Sequence, residues 1–270
     1  MPVGDFRRGA TLIGMRHFLA SGRAVEITTI AQRPALAGAE IDAGDWGDYM
    51  RHNRISEAYF WQTLEAFPDT CLIATAEDGS VVADAQAVQL RLGGQAREQL
   101  PAGGWEQAVV WAFADARRHV VPNTACALNI SVVHDFQRQG LASLMLAVLR
   151  DAVAAVGLAS LIAPVRPSHK HLEPATPMAE YAHRVRDDGL PFDPWLRTHV
   201  RAGGEIVGMA PTSWLVPGTL EEWRTWTGLA FDATGAIEVP GALTAVHCDV
   251  ESGCAVYVEP NVWVRHTVRQ

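Results

Sequence analysis

Two hydrophobic periods alternate along the chain. Residues 24–31 (AVEITTIA) alternate branched apolar with polar side chains, the two-residue period of a strand. The runs 70–76 (TCLIATA) and 80–92 repeat it. Glu77, Asp78 and Gly79 between them suit a tight turn, so the pair predicts a β-hairpin. Residues 105–118 take helical spacing, and 124–133 (TACALNISVV) return to a strand. Over 140–156 the period is helical again. Leu141, Leu144, Met145, Val148, Leu149, Ala152, Val153 and Val156 form one apolar stripe, and Gly157 stands where a C-cap would. A short strand at 160–165 (SLIAPV) follows, so this strand, helix and strand predict a right-handed βαβ unit with parallel strands.

Elsewhere the pattern is less regular. Residues 1–23 read as a loose arm or a short packing helix. Residues 41–64, with acidic start signals at Asp42 and Asp45 and aromatic Tyr59, Phe60 and Trp61, predict one or two short helices. Residues 91–104 are rich in Gly, Gln and Pro and read as a loop. After Pro167 the chain is polar and proline-punctuated. It predicts helices at 177–186, 196–202 and 220–227, and strands at 205–209, 243–250 and 254–263. No linker composition or internal repeat divides it. The expected organisation is an arm, 1–23, and one α/β domain, 24–270.

Composition narrows the class. The chain has 270 residues, 49% hydrophobic and 19% charged, with a formal net charge of -8. That balance argues against a broad nucleic-acid-binding face. No run reaches the roughly 18 apolar residues of a membrane helix, and the N-terminus lacks the apolar core of a signal peptide. The four cysteines, at 71, 126, 248 and 254, form no C-x-x-C pair. Cys71 and Cys126 lie in apolar runs and read as buried thiols. Cys248 and Cys254 flank a turn, which leaves a hairpin disulfide open. The expectation is a cytoplasmic protein with no nucleic-acid partner and no membrane.

The chemistry concentrates in SVVHDFQRQGLASLML, residues 131–146. A strand enters a polar turn, and the turn opens the strongest helix. Helix N-termini leave amides unpaired and carry partial positive charge, so they suit anions. Gly140 keeps a Cβ out of the way, and Arg138 can add a charge-assisted contact. Neither G-x-x-x-x-G-K-[ST] nor G-x-G-x-x-G is present, which sets aside a P-loop and a Rossmann fingerprint. What is present is Q-x-x-G-x-A at Gln137, Arg138, Gln139, Gly140, Leu141 and Ala142. In this strand–turn–helix setting it resembles the Q/R-x-x-G-x-G/A signature of the GNAT superfamily of acyl-CoA-dependent N-acyltransferases. The resemblance spans residues 24–170.

That resemblance implies a fold and an activity. The fold would be a mixed, mostly antiparallel sheet, split in the middle and flanked by helices. The activity would be transfer of an acetyl or other short acyl group from acyl-CoA to an amine of a small molecule, by direct attack in a ternary complex. The turn, from Gln137 through Ala142 and Ser143, would hold the CoA pyrophosphate. The strand ending in Ser131, Val132 and Val133 would pair with pantetheine and splay from the strand at 160–165. A main-chain amide within 129–132 would polarise the acyl carbonyl. Residues 166–270 are similar to a GNAT subgroup also found fused to carbon–nitrogen hydrolase domains, through RDDGLPFDPWLRTHVRAGGEIVG and YVEPNVWVRH, and would build the acceptor side.

For proton handling, the family's thiolate-protonating tyrosine maps to Tyr181, whose other reading is a packed helix tyrosine. Glu173, His169 and His171 in HKHLE are candidate bases, and Glu259 is another. Two histidines one residue apart on a loop make a poor zinc site, so no metal is expected. Asn129, Glu259, Trp61, Trp214 and Trp263 are candidates for the acceptor pocket. Asp193 before PWLR reads as a helix N-cap. Three alternatives remain: a silent acyl-CoA-binding module, a longer acyl donor, and a protein-lysine acceptor. Whether the chain forms a homodimer is left open.

Overall fold

The structure, a computed structural model, describes residues 12–39, 41, 46–94 and 97–268. The elements in chain order are β1 (Arg16–Phe18), β2 (Ala24–Thr29), α1 (Arg54–Tyr59), α2 (Gln62–Ala66), β3 (Cys71–Ala76), β4 (Val81–Leu90), α3 (Gly104–Arg117), β5 (Thr124–Val132), α4 (Leu141–Ala155), β6 (Ser160–Val165), α5 (Met178–Ala182), α6 (Pro194–Arg201), β7 (Glu205–Thr219), α7 (Leu220–Thr227), β8 (Gly235–Ile237), β9 (Val246–Asp249) and β10 (Cys254–Thr267). The strands form one sheet in the order β1-β2-β3-β4-β5-β6-β10-β9-β8, with β7 also paired to β10. Every pairing is antiparallel except β5 with β6, the strands that α4 connects.

Helices cover both faces. The predicted stripe of α4 is buried at Leu141, Met145, Val148, Leu149, Ala152 and Val153. It packs on Ala83, Ala85, Ala87, Ala125 and Ala127, whose small side chains let the helix sit close to the strands. On the other face, Trp105, Ala108, Val109, Ala112 and Phe113 of α3 pack with Val88, Leu90, Cys126, Ile162 and Trp263. A third cluster under α7 joins Tyr49, Trp223, Phe231 and Tyr257. Thr219 and Glu222 form a capping box that starts α7.

The sheet opens in its middle. The β5–β6 pairing consists of Ala125↔Leu161 and Cys126↔Ile162, although β5 continues to Val132 and β6 to Val165. Beyond the pair, β5 stays with β4 and β6 stays with β10. The β4–β5 register shifts between Gln86↔Asn129 and Ala87↔Ala127, so Leu128 is the extra residue of a β-bulge on β5. Bulges bend the strand that carries them. This one lies where β5 leaves β6.

Several expectations change. Part of the presumed arm is the edge strand β1, with Arg16 opposite Glu26. Residues 1–11, Asp42 and Asp45 lie outside the described residues. The helix expected at 177–186 stops at Ala182, and Val185 forms a bridge with Pro191 instead. The strand expected at 205–209 runs on to Thr219. Pro211 and Pro217 masked that extension, and they are tolerated because β7 pairs on one side with β10 alone. All four cysteines are free. Cys248 pairs with Ala255 and Cys254 with Asp249, which turns the two thiols to opposite faces of the hairpin.

Candidate active site

The turn between β5 and α4 is built by backbone strain and local buttresses. Arg138 has φ +59° and Gly140 φ +87°, both left-handed. Gly140 is the N-cap of α4, and Leu144 N–H bonds its carbonyl at 3.0 Å. The amides that follow have no carbonyl one turn back and face outward as donors. A Cβ on Gly140 would meet nothing within 4 Å. The glycine is therefore required by its φ, and the space over the turn is open. Gln137 Nε2 donates to Val132 O at 3.0 Å, and Gln139 Nε2 to Asp135 O at 2.7 Å. The segment before β2 braces the same turn. Ser21 Oγ donates to Gln139 Oε1, and the Arg23 guanidinium lies 4.1 Å from the Phe136 ring centre. Both glutamines thus hold the turn's shape. Arg138 and Ser143 are exposed at its rim, Ala142 is half-buried, and Leu141 is a core residue.

Between the diverging strands, β5 presents backbone without a partner strand. Val133 N–H bonds Val82 O on β4 at 3.0 Å. By the alternation of an antiparallel ladder, the backbone groups of Ile130 and Val132 then point toward the gap. Val132 O is the one Gln137 closes off.

The face of β4 and β5 turned toward α3 carries a polar cluster that sequence reasoning only half found. Asp84 lies opposite Ser131, and Gln86 opposite Asn129. Asn129 Nδ2 donates to Asp84 Oδ2 at 2.9 Å and reaches Ser131 Oγ at 3.1 Å. Burial raises the Asp84 pKa, against the opposing pull of hydrogen bonds from Asn129, Ser131 and Gln86. Asp84 Oδ1, Gln86 Oε1 and Asn129 Oδ1 are buried and without a hydrogen-bond partner. Asn129 was expected here. Asp84 and Gln86 were missed. Their signal was VVADAQAVQL, a mostly apolar strand whose polar residues are Asp84, Gln86 and Gln89.

A second network lies at the end of β6. Arg166 Nε donates to Glu259 Oε2 at 2.9 Å, and Tyr257 Oη donates to the same oxygen at 2.7 Å. Asn261 Nδ2 donates to Glu259 Oε1 at 3.1 Å. Glu259 is only 2% exposed, so its charge is met inside the protein. Glu259 is thus a bound structural carboxylate.

The remaining candidates fall elsewhere. Tyr181 is buried on α5, and its hydroxyl donates to Asp193 Oδ2 at 3.1 Å. Burial, the Asp193 charge and that bond push its pKa well up. Asp193 also N-caps α6 through Trp195 N and Leu196 N, as expected, and accepts from His169 N. Glu173 is paired with Arg184 at 2.5 Å, and this bond lowers its pKa. The His169 ring is exposed. The Tyr181 and Glu173 side chains thus bind local partners, and His169 contributes its backbone N–H. Trp263 is 1% exposed, donates to Pro101 O at 3.0 Å and is core, not pocket wall. Trp61 is 51% exposed beside Phe60. Trp214 packs edge-on against Trp105. Among the described residues no group of three His, Cys, Asp or Glu could hold a metal ion, and no helix is long and apolar enough to cross a membrane.

No family model matches the chain. It is similar to the arginine N-acetyltransferase avaD of Aspergillus versicolor, at 32% identity over 276 positions covering 90% of this chain and 93% of that protein. Among solved structures it is similar to the loading GNATL domain of CurA from Lyngbya majuscula, with a TM-score of 0.56 and 16% identity over 90% of this chain and 98% of that one. It is also similar to the GphF GNAT-like decarboxylase in complex with isobutyryl-CoA, with a TM-score of 0.52 and 17% identity over 91% and 99%. Identities this low speak to the fold alone.

Proposed function

The chain belongs to the GNAT superfamily and is an acyl-CoA-dependent N-acetyltransferase, and from that premise we propose that it acetylates an amine of a small basic amino acid or a close derivative. The observation that carries this reading is the divergence of β5 from β6 beside the buried, unpaired oxygen of Asp84. The outward amides after Gly140 suit the CoA phosphates. The arm of the cosubstrate lies along β5, where Ile130 and Val132 offer backbone groups. An N–H there is positioned for the carbonyl oxygen that gains charge on attack.

Transfer is direct, in a ternary complex. The acceptor nitrogen loses a proton to Asp84 and attacks the thioester carbonyl carbon. The C–S bond breaks and CoA leaves as its thiolate. The raised pKa makes Asp84 a better proton acceptor than an ordinary carboxylate. An arginine-like acceptor agrees with the relative and with a buried carboxylate that has no cation beside it. The narrower likeness of residues 166–270 to a hydrolase-fused subgroup adds nothing to this choice.

Thiol release from acetyl-CoA, followed with L-arginine, L-lysine and agmatine, tests the reading. Acetylated product and stoichiometric thiol are expected with at least one of them. Saturable acetyl-CoA binding without thiol release would mean a silent CoA-binding module instead.

A further inference from the structure

We infer that Asp84 Oδ1, Gln86 Oε1 and Asn129 Oδ1 form a receptor for a primary ammonium group, one oxygen for each N–H, and that this receptor makes the enzyme selective for primary amines. The inference rests on the acyl-transfer reading and names the form in which the acceptor enters.

The three atoms are all acceptors, all buried, and all unpaired. They stand on neighbouring cross-strand positions, Asp84 with Ser131 and Gln86 with Asn129, on one face. Orphaned buried polar atoms are rare because each costs a lost hydrogen bond. Three acceptors together define a ligand that only donates. Gln86 is 2% exposed, so bulk solvent does not satisfy its oxygen. Asn129 Nδ2 is committed to Asp84 Oδ2, which leaves its carbonyl oxygen without a partner. A buried carboxylate is ordinarily paired with a cation. Among the described residues, Asp84 forms no ion pair with a Lys, Arg or His within 4.0 Å. Ile73, opposite Asp84 on β3, makes the near wall apolar.

In the step itself, an ammonium R–NH3+ gives one proton to Asp84, which becomes the neutral acid. The free amine keeps two N–H groups for Gln86 Oε1 and Asn129 Oδ1. Its lone pair attacks the thioester carbon, the C–S bond breaks, and the departing thiolate takes up one of those two protons, so that the products are the amide and the CoA thiol. A secondary ammonium leaves one oxygen unpaired. A quaternary ammonium leaves all three unpaired and brings methyl groups into their place.

The test has a binding arm and a turnover arm. In the binding arm, calorimetry on the CoA-loaded protein compares n-propylammonium with N-methylpropylammonium and tetramethylammonium. The expected order falls in that sequence, with at least a tenfold preference for n-propylammonium over tetramethylammonium. Gln86→Met keeps the volume, removes the oxygen and should cut that preference severalfold, while acetyl-CoA affinity stays put. Asp84→Asn should abolish it. Equal binding of all three cations, or a preference untouched by Gln86→Met in a folded protein, would overturn the receptor and leave the oxygens to water. The turnover arm is thiol release. If selectivity is present and thiol release absent, the receptor stands and the acetyl-transfer reading falls.

Discussion

Nδ1 of His199 on α6 lies 3.0 Å from Nε2 of His266 on β10, and both rings are buried. One nitrogen donates and the other accepts, so this contact suits two neutral rings, while His266 Nδ1 is buried without a partner. Trp195 packs edge-on against His199 at 4.8 Å. His266 lies opposite Leu161, so the pair pins α6 beside the closed end of the split.

This pair predicts acid sensitivity. Burial first, then the His266 charge, holds His199 down to about 3. Burial first, then Arg150, holds His266 at about 4. In the unfolded chain both titrate near the ordinary value of about 6.5. Between these limits the unfolded state binds more protons, so stability rises with pH. The pair's contribution is fully present above about pH 6.5 and is lost as pH falls through 4 toward 3. Each ring contributes a slope of at most about 1.4 kcal/mol per pH unit. Melting temperatures at pH 7.5, 6 and 5 should fall progressively, and His199→Leu should flatten the curve. An unchanged slope in that variant would remove the pair as the cause.

Tyr181→Phe should act on stability and not on turnover. It removes a buried donor to Asp193, which keeps the backbone donors His169, Trp195 and Leu196. The cost should be about 1 kcal/mol. Urea unfolding and kcat with acetyl-CoA separate the two. A large fall in kcat in a protein of near-normal stability would return Tyr181 to the mechanism.

Arg166 and Glu259 should show strong coupling. Arg166→Met leaves a 2%-exposed carboxylate without its cation, a defect of about 3–5 kcal/mol. Glu259→Gln in the same chain should recover much of that loss. A double-mutant cycle by urea unfolding measures it, and additive losses would contradict the pairing.

How far the sequence foretold this site depends on how local each signal was. The α4 stripe, the hairpin of β3 and β4, and the turn from Gln137 to Ala142 are encoded within a few residues of themselves. They stand where their periods placed them. The gap needed the β5–β6 pairing to end after Cys126, which follows from the bulge at Leu128 and from the rival pairing of β6 with β10. No local pattern contains that competition. Tyr181 and Glu173 had the right chemistry but were claimed by Asp193 and Arg184, partners 12 and 11 residues away. Asp84 and Gln86 were legible in principle as polar residues in a buried strand. Their meaning appeared only with Asn129 and Ser131 opposite them.

Two substitutions separate shape from charge at the turn. Gly140→Val forces a β-branched residue into φ +87° and should cost about 1–2 kcal/mol or more. Gly140→Asn should be milder, because asparagine tolerates the left-handed region. Neither tests the phosphate site cleanly, since the φ penalty alone unsettles the turn. Ser143→Asp does. Ser143 is exposed in the first turn of α4, which holds no acidic residue. A carboxylate there meets the positive end of the helix and should stabilise the fold by about 0.3–1 kcal/mol. The same carboxylate repels a bound pyrophosphate and competes for its amides, so acetyl-CoA affinity should fall about tenfold, equal to about 1.4 kcal/mol. A melting temperature that rises while affinity drops has no explanation in general damage to the fold. Unchanged affinity in a stabilised Ser143→Asp protein would place the CoA phosphates away from this helix.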